Sequence, residues 1–267
     1  MVVFTGVKKE KLQKLKEYTL EEPKSMYEEL RLKKNNVTLV LYNSGKLLLQ
    51  GKQESIEEIS EDLEKIGIGK KIKSKVFRRE TGMIIGSDET LKGDTFGGLV
   101  VAGVKANAVA RKKLVELGVA DSKTLNDKEI LVLAERIKRI VSCQIKSITS
   151  EEYNHYHKNV THLLNKLHSE VGNYLNPGKH VVDKYPGCNV GDIQEEKAES
   201  KYVEVAAASI LARAAALHQL DGLSIEVGFT VPKGSTHVKD ALARLKKEKI
   251  DFRKFVKLNF SNVRKFL

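Results

Sequence analysis

The chain has 267 residues, 41% of them apolar and 31% charged, with no Trp and a net charge of +12. This length suits about two domains and is enough to bury a substantial core. No apolar run approaches the ~20 residues that cross a bilayer, the N-terminus lacks the apolar stretch of a secretion signal, and Cys143 and Cys188 are too isolated for a disulfide framework or a zinc site. A soluble, cytoplasmic protein is expected.

In chain order, Val7, Leu12, Leu15 and Leu20 among lysines and glutamates predict a surface helix over residues 7–20 that stops before Pro23. Val37–Tyr42 is β-rich, Asn43-Ser44-Gly45-Lys46 supplies turn residues, and Leu47–Gln50 returns, predicting a hairpin. Ser55 with Glu58 reads as a capping box for a helix carrying Ile56, Ile59, Leu63 and Ile66, ended by Gly67 and Gly69. Residues 1–70 are thus expected to form a small α/β domain. The lysine-rich stretch from Lys70, running to Arg78 and Arg79, predicts a basic linker over 71–81, with a second domain over 82–267.

That second domain opens with Met83–Asp94, an apolar run ending on the adjacent acids Asp88 and Glu89, then a Lys92-Gly93-Asp94 turn before Phe96–Val101 resumes the apolar pattern. Helices are predicted over 106–117, over the stripe Ile130, Leu133, Ile137 and Ile140, and over most of 151–175. Strands are predicted at 143–148 and 180–183, the latter ending in Asp183. Val203–Leu217 is apolar nearly all round and reads as a buried helix. A last helix is expected at 238–249. Strands alternating with helices predict an α/β architecture around a central sheet.

The positive charge is unevenly placed. Residues 1–75 carry 16 Lys/Arg against 12 Asp/Glu, residues 233–267 carry 11 against 3, and the middle is balanced at 20 against 20. Two basic ends around an acidic centre favour a polyanion, and nucleic acid above all. Asp88, Glu89 and Asp183 at strand ends, with Glu199 ahead of the buried helix, suit two hard divalent cations that activate water and stabilise a leaving oxygen in phosphodiester cleavage. One difficulty is built in: neighbouring strand residues point to opposite faces, so Asp88 and Glu89 share metals only if the strand bends or ends between them.

Gly86-Ser87-Asp88-Glu89 with Lys92-Gly93-Asp94, Asp121-Ser122-Lys123, Asp183-Lys184-Tyr185, and Lys197-Ala198-Glu199-Ser200-Lys201 before Ala206–Ile210 together resemble type 2 ribonucleases H. The Asn36–Gly51 stretch resembles the extra domain of the ribonuclease HIII branch, itself similar to half of a TATA-box-binding protein. The resemblance implies a ribonuclease H-like mixed sheet flanked by helices, preceded by a small TATA-box-binding-protein-like domain. It also implies endonucleolytic cleavage of the RNA strand of RNA/DNA hybrids, Mg2+ or Mn2+, and 3′-hydroxyl and 5′-phosphate ends. It assigns the metals to Asp88, Glu89, Asp183 and Glu199, and substrate contact to Ser87, Lys92 and Gly93. Ser122 and Lys123 read equally as substrate contacts or as a helix cap with a solvated lysine, and Tyr42 with Lys46 on the small domain as a stacking and pairing site for nucleic acid or, for Tyr42, as ordinary sheet packing. A monomer is expected.

The chain departs from the family at Leu91, where glycine is usual; leucine resists φ > 0, which predicts an altered loop path. A hybrid-binding protein with weak catalysis is the alternative. His155 and His157 form no His-x-x-x-His pattern, and His162, His168 and His218 read as packing or surface groups. His237 is read as a possible aid to phosphate binding, and Ser200 lacks partners for triad chemistry.

Overall fold

The computed structural model describes residues 2–25, 28–72, 77–78, 80–119, 125–156 and 159–267, without the side chains of Gln53 and Ile72. The chain divides into two compact units, Met1–Lys75 and Val76–Leu267. Among the described residues, no helix is long and apolar enough to cross a membrane.

The first unit is an antiparallel sheet of β1 (Val2–Thr5), β2 (Thr19–Glu21), β3 (Glu28–Lys34), β4 (Val37–Tyr42), β5 (Leu47–Gln50) and β6 (Lys70–Ile72), in the order β2-β3-β4-β5-β1-β6. The predicted hairpin is β4–β5, closed by the Tyr42 amide donating to the Lys46 carbonyl at 2.8 Å, with Gly45 at φ 74°. Helix α2 (Gln53–Lys65) lays Ile56, Ile59 and Leu63 on a core with Phe4, Leu39 and Leu49.

Three expectations are corrected here, and one strand is added. The helix over 7–20 shrinks to α1 (Lys9–Leu12), with Thr19–Glu21 drawn into the sheet by pairing with β3. Helix α2 begins at Gln53 behind Lys52, so Ser55 stands within its first turn and is not the cap; Ile66 is exposed. Strand β3 escapes notice because only Leu30 and Leu32 of its seven residues are buried. Lys70–Ile72 is an edge strand rather than linker: it hydrogen-bonds along β1 from Thr5 to Val3, and unpaired strand edges favour such pairing over solvated lysine.

In the second unit, β7 (Ile84–Thr90), β8 (Leu99–Ala106), β9 (Ser142–Ile148), β10 (Lys179–Asp183) and β11 (Ile193–Glu195) form a mixed sheet in the order β11-β10-β7-β8-β9. β7, β8 and β9 pair antiparallel, whereas β10 lies parallel to both β7 and β11. The short strand β11 lacks a sequence signal of its own. Helices α3 (Ala108–Glu116) and α4 (Asp127–Lys138) follow the middle strands. The segment 151–175 breaks into α5 (Ser150–His155) and α6 (Val160–Leu175). Each is capped by a side chain, Thr149 and Asn159. The buried helix α7 runs on to Val227, ended by Gly228 at φ 76°. Helices α8 (Lys239–Lys247), α9 (Phe252–Phe255) and α10 (Ser261–Arg264) close the chain.

The sheet is covered on both faces. Val100, Ala102 and Val104 of β8 pack with α7 and α4, while Ile85, Leu99, Val101 and Val182 pack with α6. Gly86 sets how closely α7 approaches β7: a Cβ there would lie 2.4 Å from the Val205 amide nitrogen and 2.5 Å from the Glu204 carbonyl carbon. Those are backbone atoms and do not yield by a rotamer change. Gly86→Ala is expected to lower stability by about 1–3 kcal/mol through overpacking, read as a shift in the urea midpoint.

A buried ion pair fastens the same corner. Arg111 of α3 donates to Glu204 Oε1 of α7 at 2.9 Å and to the carbonyls of Glu80, Gly82 and Ala106 at 2.8–3.1 Å. Burial raises the Glu204 pKa and Arg111 opposes that rise.

Candidate active site

The alternation along β7 decides which acids meet. Gly86 faces α7, Ser87 faces the histidines of α6 and β10, Asp88 returns to the α7 face, where the Ser209 hydroxyl bonds it, and Glu89 turns to His168 of α6. The ladder to β8 continues through Asp88, Glu89 and Thr90, so the strand neither bends nor ends between the two acids.

Asp183 reaches Asp88 through sheet register. In the parallel pairing, Val181 lies beside Gly86 and Val182 beside Ser87; one residue on, Asp183 and Asp88 share the α7 face. Asp183 Oδ1 accepts the Ala198 amide at 2.7 Å, which holds the 3-10 turn Ala198–Ser200 carrying Glu199. The Glu199 turn, tied to Asp183 through Ala198, stands just ahead of the α7 N-terminus, where backbone amides favour anions, while Asp88 lies beside Asp183 and farther along α7, against Ser209.

The electrostatics of the adjacent acids diverge. Burial, then the charges of Glu89 and Asp183, push the Asp88 carboxyl up to about 8, although Ser209 and the Glu89 amide favour its ionised form. Burial also works to raise Glu89, but His168, with Nε2 at 3.4 Å, and Lys92, with Nζ at 3.3 Å, outweigh it and hold this carboxyl below its usual range.

Behind Glu89 lies a buried polar chain. Ser87 Oγ sits 2.8 Å from both His168 Nδ1 and His180 Nε2. Burial, then the neighbouring His168, pushes His180 down to about 4, against the pull of Asp192. Ser87, expected at the substrate, is fully buried in this chain and bonds the two histidines instead, one of which, His168, faces Glu89. His168, expected as packing, is buried but polar in role. Its position on the apolar stripe of α6 signals burial, whereas its partner is set only by the sheet.

The turn after β7 presents Lys92 and Gly93. Lys92 Nζ lies 4.9 Å above the Tyr185 ring, and Gly93 is exposed with open space where a Cβ would stand. Leu91 corrects the expected loop path: it adopts φ 65°, the conformation glycine takes freely, and buries its side chain to 4% exposure. A non-glycine residue there costs about 1–2 kcal/mol, so its surroundings hold it. Lys257 Nζ donates to the Leu91 carbonyl at 2.8 Å and to the Asp94 carbonyl at 2.6 Å. Burial pushes this lysine down to about 7, with Asp94 opposing. No sequence pattern marks Lys257 among the basic C-terminal residues. Ser122 and Lys123 lie outside the described residues. Tyr42 and Lys46 flank the β4–β5 turn of the first unit.

The donor set fits hard divalent cations. The oxygens are carboxylate oxygens, and the mutual repulsion that raises Asp88 is what a cation relieves. Among the described residues no three His, Cys, Asp or Glu side chains form a ready cage, and Glu89 is turned to His168. Mg2+ is commonly held by one or two carboxylates with waters and substrate phosphate rather than by an all-protein cage.

The model of the Ribonuclease HII family matches residues 85–263, and that of a domain of unknown function, DUF3378, matches residues 2–75. The chain is 33% identical to ribonuclease HIII of Bacillus subtilis, over 85% of this chain and 84% of that one. It is 37% identical to ribonuclease HIII of Protochlamydia amoebophila, over 79% and 76%. The crystal structure of Bst-RNase HIII in complex with Mn2+ covers 100% of this chain and 98% of its own, with a TM-score of 0.64 and 26% identity. Both units take part in these matches, and the acidic strand and the α7 helix lie inside the matched region. The chain therefore belongs to the ribonuclease HII family, in its ribonuclease HIII branch.

Proposed function

We propose that this chain hydrolyses the RNA strand of RNA/DNA hybrids, with Mg2+ or Mn2+ held by Asp88, Asp183 and Glu199, with Glu89 adding its charge from the other side of the strand, and with 5′-phosphate and 3′-hydroxyl products. The observation that carries this reading is the register of β10 on β7, which sets Asp183 beside a buried Asp88 whose carboxyl is pushed up to about 8 by burial and neighbouring negative charge. Bound divalent ions supply Lewis-acid stabilisation of phosphate charge and a water nucleophile at neutral pH.

The chain's own groups orient these acids. The Ser209 hydroxyl holds Asp88, the Ala198 amide holds Asp183, and His168 with Lys92 holds Glu89. Lys92 is placed to meet a phosphate, and the uncovered Gly93 backbone permits close approach of a ribose 2′-hydroxyl, the group that separates RNA from DNA. Tyr42 and Lys46 of the first unit, Ser122 and Lys123, and the basic C-terminal segment complete the grip on the duplex. The enzyme acts as a cytoplasmic monomer in this reading. Weak catalysis from a distorted Leu91 turn is the less favoured alternative, because Leu91 already takes the glycine conformation.

The test offers end-labelled hybrid, a duplex with one embedded ribonucleotide, and all-DNA duplex, each with Mg2+, with Mn2+ and with chelator. Hybrid cleaved with either ion, silent under chelator, and DNA left intact is the expected pattern. Tight binding without product at any ion concentration favours the alternative, and cleavage that persists under chelator removes the metal from the mechanism.

A further inference from the structure

We infer that Lys257 is a positioning residue for hybrid hydrolysis: its buried ammonium holds the Leu91–Asp94 turn in the shape that presents Lys92 and Gly93 to the RNA strand. The inference rests on the hydrolytic reading above and concerns a residue far along the chain, outside the acidic cluster.

The geometry is specific. Lys257 is fully buried, and its Nζ donates to the carbonyls that open and close one four-residue turn, Leu91 and Asp94. The Tyr153 and Phe260 ring centroids lie 5.2 and 5.5 Å from the ammonium. The backbone around Lys257 grips the continuation of the turn. Its amide donates to the Thr95 carbonyl, Val256 bridges Phe96, and Gly97 donates to the Phe255 carbonyl. Asp94 Oδ1 accepts the Gly234 amide at 2.6 Å, and Asn262 Nδ2 donates to Thr95 Oγ1 at 2.8 Å.

A lysine this buried is costly unless its charge is matched, and an apolar side chain of similar length serves a core as well or better. Here two carbonyls and two ring faces offset part of that cost. Both carbonyls belong to the turn that follows Glu89, and one is that of Leu91, the residue at φ 65°. Strained backbone of this kind persists only where its surroundings over-determine it, and it concentrates at functional sites. The charge is therefore directed at a backbone shape rather than at filling space, and glycine at position 91 takes that shape unaided.

Lys257→Met in the full chain keeps the length and removes the donors. Exchange of the Asp94 amide, which donates to the Leu91 carbonyl, is expected to quicken at least about tenfold. In steady-state cleavage of labelled hybrid, kcat/KM is expected to fall on the order of 30-fold. Adding Leu91→Gly should return the activity of Lys257→Met to within about threefold of Leu91→Gly alone, without restoring the urea midpoint lost to Lys257→Met. A lysine that served only stability would show no such separation. Should Lys257→Met not fold, Lys257→Arg, which moves the donors off the amine position, enters the same comparison. Unchanged exchange at Asp94, wild-type kinetics in the lysine variant, or independent losses in the double variant each overturn the inference. The exchange arm needs no catalysis, so a wild-type chain that cleaves no hybrid defeats the hydrolytic reading and leaves the turn's dependence on Lys257 separately decided.

Discussion

Asp88→Asn is expected to lower kcat for hybrid cleavage on the order of 10³-fold or more, since metal-supplied charge stabilisation is worth several kcal/mol and each 1.36 kcal/mol is a factor of ten. The same change should make the metal-free protein more stable. The folded Asp88 carboxyl titrates near 8 and an unfolded aspartate near 3.9. Below about pH 4 both states hold the proton and nothing is lost. Between about pH 4 and 8 the folded state keeps a proton that the unfolded chain has released, so stability falls as pH rises across that window. Asn removes this dependence, and a gain of about 1–2 kcal/mol at pH 8 under chelator is expected, in line with other relieved active-site strain. Mg2+ or Mn2+ should raise the wild-type Tm by mass action and raise that of the variant less. Urea titrations at pH 5 and pH 8, with and without ion, read all three effects. A variant that cleaves normally, or whose stability keeps the wild-type pH slope, removes Asp88 from the site.

Arg111→Met is expected to cost about 3–5 kcal/mol of stability, because it leaves Glu204 buried without its countercharge. Glu204 is 1% exposed and Arg111 7%, and the guanidinium also satisfies the carbonyls of Glu80, Gly82 and Ala106. These contacts tie the entry to β7 and the end of β8 to the first turn of α7. Arg111→Met with Glu204→Gln should recover part of the loss by removing the stranded charge, but not all of it, since the three carbonyls still lack a donor. Urea midpoints at constant m-value measure this. A single variant within about 0.5 kcal/mol of wild type, the scatter of an ordinary surface change, would show that the pair contributes little.

Much of the fold is legible locally. The β4–β5 hairpin, the stripe of α4 and the all-round apolar character of α7 announce themselves because residue periodicity reports which sides of an element meet the core. The failures share a cause. Lys70–Ile72 and Thr19–Glu21 are polar edge strands whose partners, β1 and β3, supply the reason for being strand. The family resemblance makes Ser87 a substrate contact, yet the period of two sends its side chain to the face opposite Asp88 and to two histidines.

The sequence by itself determined the kinds of groups present: carboxylates at strand ends, a basic turn after the first pair, a helix destined for burial, and positive charge gathered at both ends. Only the tertiary structure decided which of them meet. The parallel register of β10 on β7 set Asp183 beside Asp88, alternation parted Glu89 from both, and a lysine from the basic C-terminal segment went inside to hold the Leu91 turn. Composition and periodicity are local properties, whereas register and the burial of one particular lysine follow from pairing and desolvation balanced across the whole sheet.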